Sequence, residues 1–180
     1  MRAIQILPLG KSVPDLARRI STELAKEFLV PCETVAPVPD PSYAFDPARQ
    51  QYYSTQILAE LAARPLAKGT RLLGIVSSDL FIPILTFVFG EAQLQGACAV
   101  VSTFRLRQEF YGLPSNLALL HERLLKESAH ELGHTLGMPH CDDYSCVMAP
   151  SHGVEWIDLK RSSFCQSCRM KMYVREGLKP

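Results

Sequence analysis

Several things are scarce in this chain of 180 residues, and each scarcity removes a class of protein. Charge of either sign is not in excess: 19 Lys and Arg stand against 18 Asp and Glu, a formal net charge of +1. That balance gives no electrostatic reason to expect nucleic acid or an anionic membrane as partner. No apolar stretch reaches the roughly 20 residues that a membrane-spanning helix needs. The N-terminal M-R-A-I-Q-I-L-P-L-G is too short, and too broken by Gln5 and Pro8, for a secretory apolar core. It is expected instead to be a first, buried strand, with no propeptide before it to be removed. No internal repeat or low-complexity tract is visible, only a proline-rich connection at residues 37–41. With 47% hydrophobic and 21% charged residues, the expectation is one domain over residues 1–180, cytoplasmic and monomeric, with a substantial core.

Histidine and cysteine are scarce as well, 5 and 6 in all, but they are gathered. Residues 130–148 read H-E-L-G-H-T-L-G-M-P-H-C-D-D-Y-S-C-V-M, and F-C-Q-S-C follows at residues 164–168. On a helix, residues four apart share a face, so His130 and His134 can both aim a ring nitrogen at one ion about 2.0–2.1 Å away. Glu131 lies about 100° round that helix. This is too far for a natural third ligand but close enough to reach a water beside the ion, where a carboxylate can act as base. Gly137 is expected to end the helix in a left-handed turn, which is cheap only for glycine. The turn would bring His140 back as the third nitrogen ligand. Three protein ligands leave one position open, which marks a catalytic rather than a structural zinc site. A mixed set in which Asp142 or Asp143 replaces His140 is the alternative.

Cys141-x4-Cys146 and Cys165-x2-Cys168 have spacings suited to a closed four-thiolate zinc site. A pair of disulfides is the competing arrangement; the lack of an export signal favours reduced thiols. Consecutive side chains in an extended segment point opposite ways, so His140 and Cys141 should face different ions. Two zinc ions per chain are therefore expected.

The extended histidine motif followed by Cys-x-Met resembles the metzincin class of zinc peptidases, and the abutting Cys141 with Cys165-Gln166-Ser167-Cys168 resembles its archaemetzincin branch. The resemblance implies that His130, His134 and His140 bind the catalytic zinc, that Glu131 is the general base, and that the four cysteines hold the second zinc. It makes Met148 the methionine of the turn beneath the metal. Some metzincins carry a tyrosine donor two residues after that methionine; Pro150 stands there instead, and His152 nearby is expected to be a surface histidine.

The rest of the chain suggests an α/β (zincin-like α+β) fold with a twisted mixed sheet, mostly parallel, and an antiparallel edge strand. Leu16, Ile20, Leu24 and Phe28 recur at helical spacing, with Ser12 as N-cap and Pro14 in the first turn. Residues 30–38 suggest a short strand, residues 48–63 a helix carrying Tyr52, Ile57, Leu58 and Leu61, and residues 71–77 a strand covered on both faces. Residues 87–94 are expected to form an edge strand beside the cleft, able to pair with an extended peptide, or else an ordinary hairpin. Residues 96–104 suggest another buried strand, and Cys32 and Cys98 small buried hydrophobes. Ser115 or Asn116 should cap the motif helix, with His121 on its face. Gly133, costly by about 1 kcal/mol inside a helix, implies close packing there. A last helix from Ser162 or Ser163 to about residue 175 would present Cys165 and Cys168 on one face, pinned by zinc to the loop after His140. Arg169, Lys171, Arg175 and Lys179 on it are expected to be a solvated face. Residues 1–137 thus form a sheet-and-helix part ending in the active-site helix, and residues 138–180 the part with the methionine turn and the structural zinc. The function expected is peptide-bond hydrolysis. The alternative is a non-catalytic, zinc-stabilised protein-binding module, against which the presence of Glu131 argues.

Overall fold

The computed structural model describes residues 1–10 and 14–177. Its main sheet is built on β1 (Ala3–Pro8), which pairs in parallel with β2 (Cys32–Thr34) on one side and β5 (Thr70–Val76) on the other. β5 pairs in parallel with β8 (Cys98–Ser102), and β8 pairs antiparallel with β7 (Gly90–Ala92), which gives the order β2-β1-β5-β8-β7. The sheet is therefore mixed, mostly parallel, with an antiparallel edge at β7.

Alternation along the central strands explains why both faces are covered. On β5, Leu73 and Ile75 enter one core, while Leu72 and Val76 enter another; on β8, Ala99 and Val101 part in the same way from Cys98 and Val100. Side chains of period two must leave a strand on opposite faces, so a strand apolar at every position needs cover on both. Helices α1 (Pro14–Phe28) and α3 (Leu117–Thr135) supply the larger core, with Leu16, Ile20, Leu24, Leu124 and Leu132. Helix α2 (Ser54–Ala62) covers the other face through Ile57, Leu58 and Leu61. Each such fully buried side chain contributes roughly 1.5–3 kcal/mol. The face expected for α1 is the one buried; the Ser12 cap lies outside the described residues.

Three expectations require correction. The strand at residues 30–38 is shorter, β2 alone, followed by an isolated bridge from Leu9 to Val38. The helix expected from residue 48 begins only at Ser54. Before it lies a small sheet of β3 (Phe45–Asp46), β4 (Gln51–Tyr53) and β6 (Leu80–Phe81), which takes Tyr52 off the helix. Asp46 Oδ1 accepts from the Ala48 and Arg49 amides at 2.8 and 3.2 Å, and Gln50 is left-handed, so the chain turns back where a helix would have run on. The last helix, α5 (Gln166–Glu176), starts several residues late, and Cys165 is its N-cap, its thiol accepting from the Cys168 amide. A further short helix, α4 (Val154–Leu159), was not foreseen. Among the described residues no helix is long and apolar enough to cross a membrane.

Candidate active site

Helix α3 is capped by Asn116, whose Oδ1 accepts from the Leu119 amide at 3.0 Å, and ends at Thr135, with Gly137 at φ 76° just beyond. A side chain at Gly137 would also meet Arg175 and Gln95, so glycine is required there by space as well as by dihedral. The expected close packing at Gly133 is against Met148: an added Cβ would lie 2.4 Å from the Met148 sulfur. The methionine thus lies directly under the helix turn that joins His130 to His134.

The turn at Gly137 brings the three histidines together, with one ring nitrogen of each within 4.8 Å of the others. His130 Nδ1 lies 2.8 Å from Val147 O, and His134 Nδ1 lies 2.7 Å from Met138 O. A carbonyl only accepts, so each Nδ1 carries the hydrogen and each Nε2 is a bare lone pair. The two Nε2 atoms then face one another at 3.1 Å. Lone pairs so placed repel unless a cation lies between them, and tetrahedral ligands about 2.05 Å from zinc would be roughly 3.3 Å apart. The donor set fits zinc. Neither Asp142 nor Asp143 joins the group; both are exposed, and Asp143 is bonded to Ser145.

Electrostatics suit the same chemistry. Burial, helped by the Lys160 cation, holds the His130 ring well below its usual pKa, and burial lowers His134 and His140 too, so all three offer neutral nitrogens. Burial, reinforced by the charge of Glu127, pushes the Glu131 carboxyl well above the ordinary carboxylate range. Glu131 borders the same cleft, of about 430 Å³, as the three histidines. Phe87, Phe89 and Gly90 also line it, as do Pro150 and His152. His152 is therefore both exposed, as expected, and a cleft residue. His121 is elsewhere, with Nε2 2.9 Å from Glu23 of α1.

The four cysteines form a second cluster, with all four sulfurs within 4.8 Å of one another and Cys141 Sγ 3.8 Å from Cys165 Sγ. That separation is far beyond a disulfide bond and close to the roughly 3.8 Å between thiolates sharing a tetrahedral zinc at 2.3 Å. Burial raises the Cys146 thiol, and the amides of Met148 and Cys165, which donate to its Sγ at 3.4 and 3.3 Å, oppose that shift. Burial pushes Cys168 above any ordinary thiol, so a cation is needed to keep it ionised. Cys32 and Cys98 lie apart, Cys98 wholly buried and Cys32 partly so, its thiol raised by burial to about 12.

Sequence reasoning missed several neighbours of the site. Gly90, the first residue of β7, lies against Glu131: an added Cβ would be 2.7 Å from its Cγ. Glu127, one turn before Glu131, is buried and bound to buried Lys160 at 3.0 Å. Helix spacing alone could have placed Glu127 beside Glu131, but Lys160 gave no signal. The basic face expected on α5 is partly engaged: Arg169 pairs with Glu27 at 2.7 Å, and Arg175 donates to Leu136 O at 3.2 Å, which ties α5 to the end of α3. Lys171 is exposed, and Lys179 lies outside the described residues.

A family model described as peptidase family M54 matches residues 13–174. An archaemetzincin of Methanocaldococcus jannaschii is 38% identical over 172 residues, which cover 96% of this chain and 93% of that protein. The crystal structure of a zinc-dependent peptidase from Methanocorpusculum labreanum matches with a TM-score of 0.87 and 30% identity, over 94% of this chain and 99% of that one. The structure of an archaemetzincin from Methanopyrus kandleri matches with a TM-score of 0.84 and 31% identity, over 98% of this chain and 96% of that one. Because the likeness runs along nearly the whole chain and not only through the histidine motif, this protein belongs to the archaemetzincins, peptidase family M54, and is a zinc metallopeptidase with peptides or proteins as its substrates.

Proposed function

We propose that His130, His134 and His140 hold the catalytic zinc, that Glu131 is the general base, and that Cys141, Cys146, Cys165 and Cys168 hold a second, structural zinc. The observation that carries this reading is the orientation of the imidazoles: two Nδ1–H groups are tied to carbonyls, leaving bare Nε2 atoms converging beside a cleft-lining glutamate. Bound there, zinc supplies Lewis acidity, polarising a carbonyl and lowering the pKa of water. The protein supplies the rest. Glu131 takes a proton from a water in the cleft and returns it to the leaving amine, and the burial that raises its carboxyl above the ordinary carboxylate range makes it a stronger base once ionised. Gly133 and Gly137 are the supports, one for Met148 and one for the turn to His140.

Among the described residues β7 is paired on one side only, and its outer edge beside the cleft suits an extended peptide lying alongside it. The described chain works in this reading as one catalytic unit. Residues 1–137 supply the sheet and the helix with His130, Glu131 and His134. Residues 138–180 supply His140, the methionine turn and the thiol cluster. Four reduced, clustered thiols suit a reducing compartment, and the enzyme is taken to be a cytoplasmic monomer. The test is Glu131→Ala with elemental analysis and a peptide-library digest at neutral pH. The variant should keep two zinc ions per chain and lose hydrolysis; measurable turnover would remove the proposed base, and one zinc per chain would remove one of the two sites.

A further inference from the structure

Lys160 follows directly on α4, and its side chain is 1% exposed, against 4% for its ion-pair partner Glu127. A lysine ammonium has three donors. Here all three are used: Glu127 Oε1 at 3.0 Å, Ala149 O at 3.0 Å and Val147 O at 3.4 Å. An ion pair alone would need one of them. The other two go to the carbonyls on either side of Met148. One of those carbonyls, Val147 O, is the acceptor for His130 Nδ1. A single buried cation thus connects the active-site helix, one turn before His130, to the main chain that orients the His130 ring.

We propose that Lys160 is a positioning residue for the histidine site: by holding the carbonyls of Val147 and Ala149 it fixes the tautomer and direction of His130. The proposal rests on His130 being a metal ligand for its consequence in catalysis, though not for its geometry. It accounts for a feature that charge balance does not. A buried ion pair can often be exchanged for apolar residues of similar volume without loss of stability. An apolar side chain at residue 160 would, however, leave Val147 O, among the described residues, with the His130 ring as its one hydrogen-bond donor, although the Met148 amide of the same peptide stays on Cys146 Sγ. Partners that orient a ligating histidine typically matter by 10–100-fold in metal affinity.

The test uses the double variant Glu127→Leu/Lys160→Met, which removes both charges together, and Glu127→Gln, which keeps the ammonium on its two carbonyls. Nitrogen-15 NMR of labelled histidine reads the His130 tautomer in zinc-free protein, and competition with a chelator reads zinc affinity at the histidine site. The wild type should show His130 with hydrogen on Nδ1 only. The double variant should melt near the wild type, populate both tautomers and bind zinc about 10-fold more weakly or worse. Glu127→Gln, whose fold is expected to survive even should the double variant's not, should keep the wild-type tautomer. Either a double variant with wild-type tautomer and affinity, or a Glu127→Gln variant that loses the tautomer, would overturn the proposal and leave Lys160 as a counter-ion. A double variant that loses the tautomer, in a protein whose wild type holds no zinc on its histidines, would uphold the positioning role and defeat the catalytic-zinc reading instead.

Discussion

Gly90 offers the sharpest test of how the sheet edge serves the active site. A Cβ added there would lie 2.7 Å from Glu131 Cγ and 2.8 Å from Val100 O. The Val100 carbonyl belongs to β8, which is paired on both sides, so it cannot retreat; the side chain of Glu131 is the freer neighbour. Ordinary contact begins near 3.4 Å, so Glu131 must give way by about 0.7 Å. A misplacement on the order of 1 Å at a reacting group costs roughly 100-fold in rate. Gly90→Ala is therefore expected to lower kcat by about 30- to 100-fold. The strain of one extra methyl in a packed site costs about 1–3 kcal/mol, or roughly 2–4 °C of melting temperature for each kcal/mol. Gly74→Ala is the control. Its Cβ would meet Leu9 and Leu61 at 2.8 and 2.9 Å on the far face of the sheet, so it should lose similar stability with kcat unchanged. The assay is steady-state hydrolysis of a peptide alongside thermal melting and zinc analysis. Should Gly90→Ala turn over within twofold of the wild type while melting like the control, Glu131 is not the group that the β7 edge positions, or not the base.

Three further outcomes follow from the same geometry. Cys165→Ser keeps a good N-cap for α5, since serine is among the preferred caps, so its loss of melting temperature reports the thiol cluster alone; a fall on the order of 10 °C with loss of one zinc is expected, and an unchanged melt would remove the structural role. Because burial and Glu127 raise Glu131, kcat/KM should fall with acidification at a pH above the ordinary glutamate range, as the proposed base takes up its proton. Glu127→Gln removes the second of those causes and should move that limb to lower pH in a pH–rate profile; an unmoved limb would assign it to another group. The raised Glu131 also binds its proton more tightly folded than unfolded, so its contribution to stability is present below the unfolded pKa and is lost as pH rises through the folded one. In chelated protein, Glu131→Gln should accordingly melt above the wild type at neutral pH but not at pH 4, and equal melts at both would show that the burial of this carboxyl carries no cost.

What was legible in the chain was what is local or periodic. The spacing of His130 and His134, the glycine beyond Thr135 and the apolar runs of β1, β5 and β8 all follow from the repeat of a helix or strand. The small sheet of β3, β4 and β6 was not legible, because it depends on Tyr52 pairing with Leu80, a contact that no short window contains. The apolar spacing of Tyr52, Ile57, Leu58 and Leu61 also imitates a longer helix. Nor did α2 announce its start. It has no capping side chain; Ser54 Oγ instead donates to Phe81 O or Glu91, at 3.0 and 2.6 Å. The start of α5 was misplaced for a related reason: Ser162 and Ser163 look like caps, whereas the cap is a thiol that also belongs to the cysteine cluster. Lys160 could not have been found at all, since a lone lysine in a sequence signals solvent, and only the fold supplies the acceptors that bury it.

The adjacency of His140 and Cys141 links the two clusters physically. His130 and His134 ride on a helix packed into the core, but His140 lies in a segment without regular structure, and its side chain is exposed. Fixing such a residue costs on the order of 1–2 kcal/mol of backbone entropy, and Pro139, His140, Asp142, Asp143 and Tyr144 are all exposed. The offset comes from the neighbour. Cys141 donates its amide to Met148 O at 2.9 Å and places its thiol among Cys146, Cys165 and Cys168, which are themselves held by α5 and the turn at residues 146–149. The peptide joining the two residues is planar, so fixing Cys141 also fixes the Cα of His140 and leaves only its backbone and side-chain torsions to aim the imidazole. In the proposed reading the thiol cluster is the anchor that delivers the third nitrogen. Disrupting it should weaken zinc binding at the histidines more than it disturbs the fold of α3.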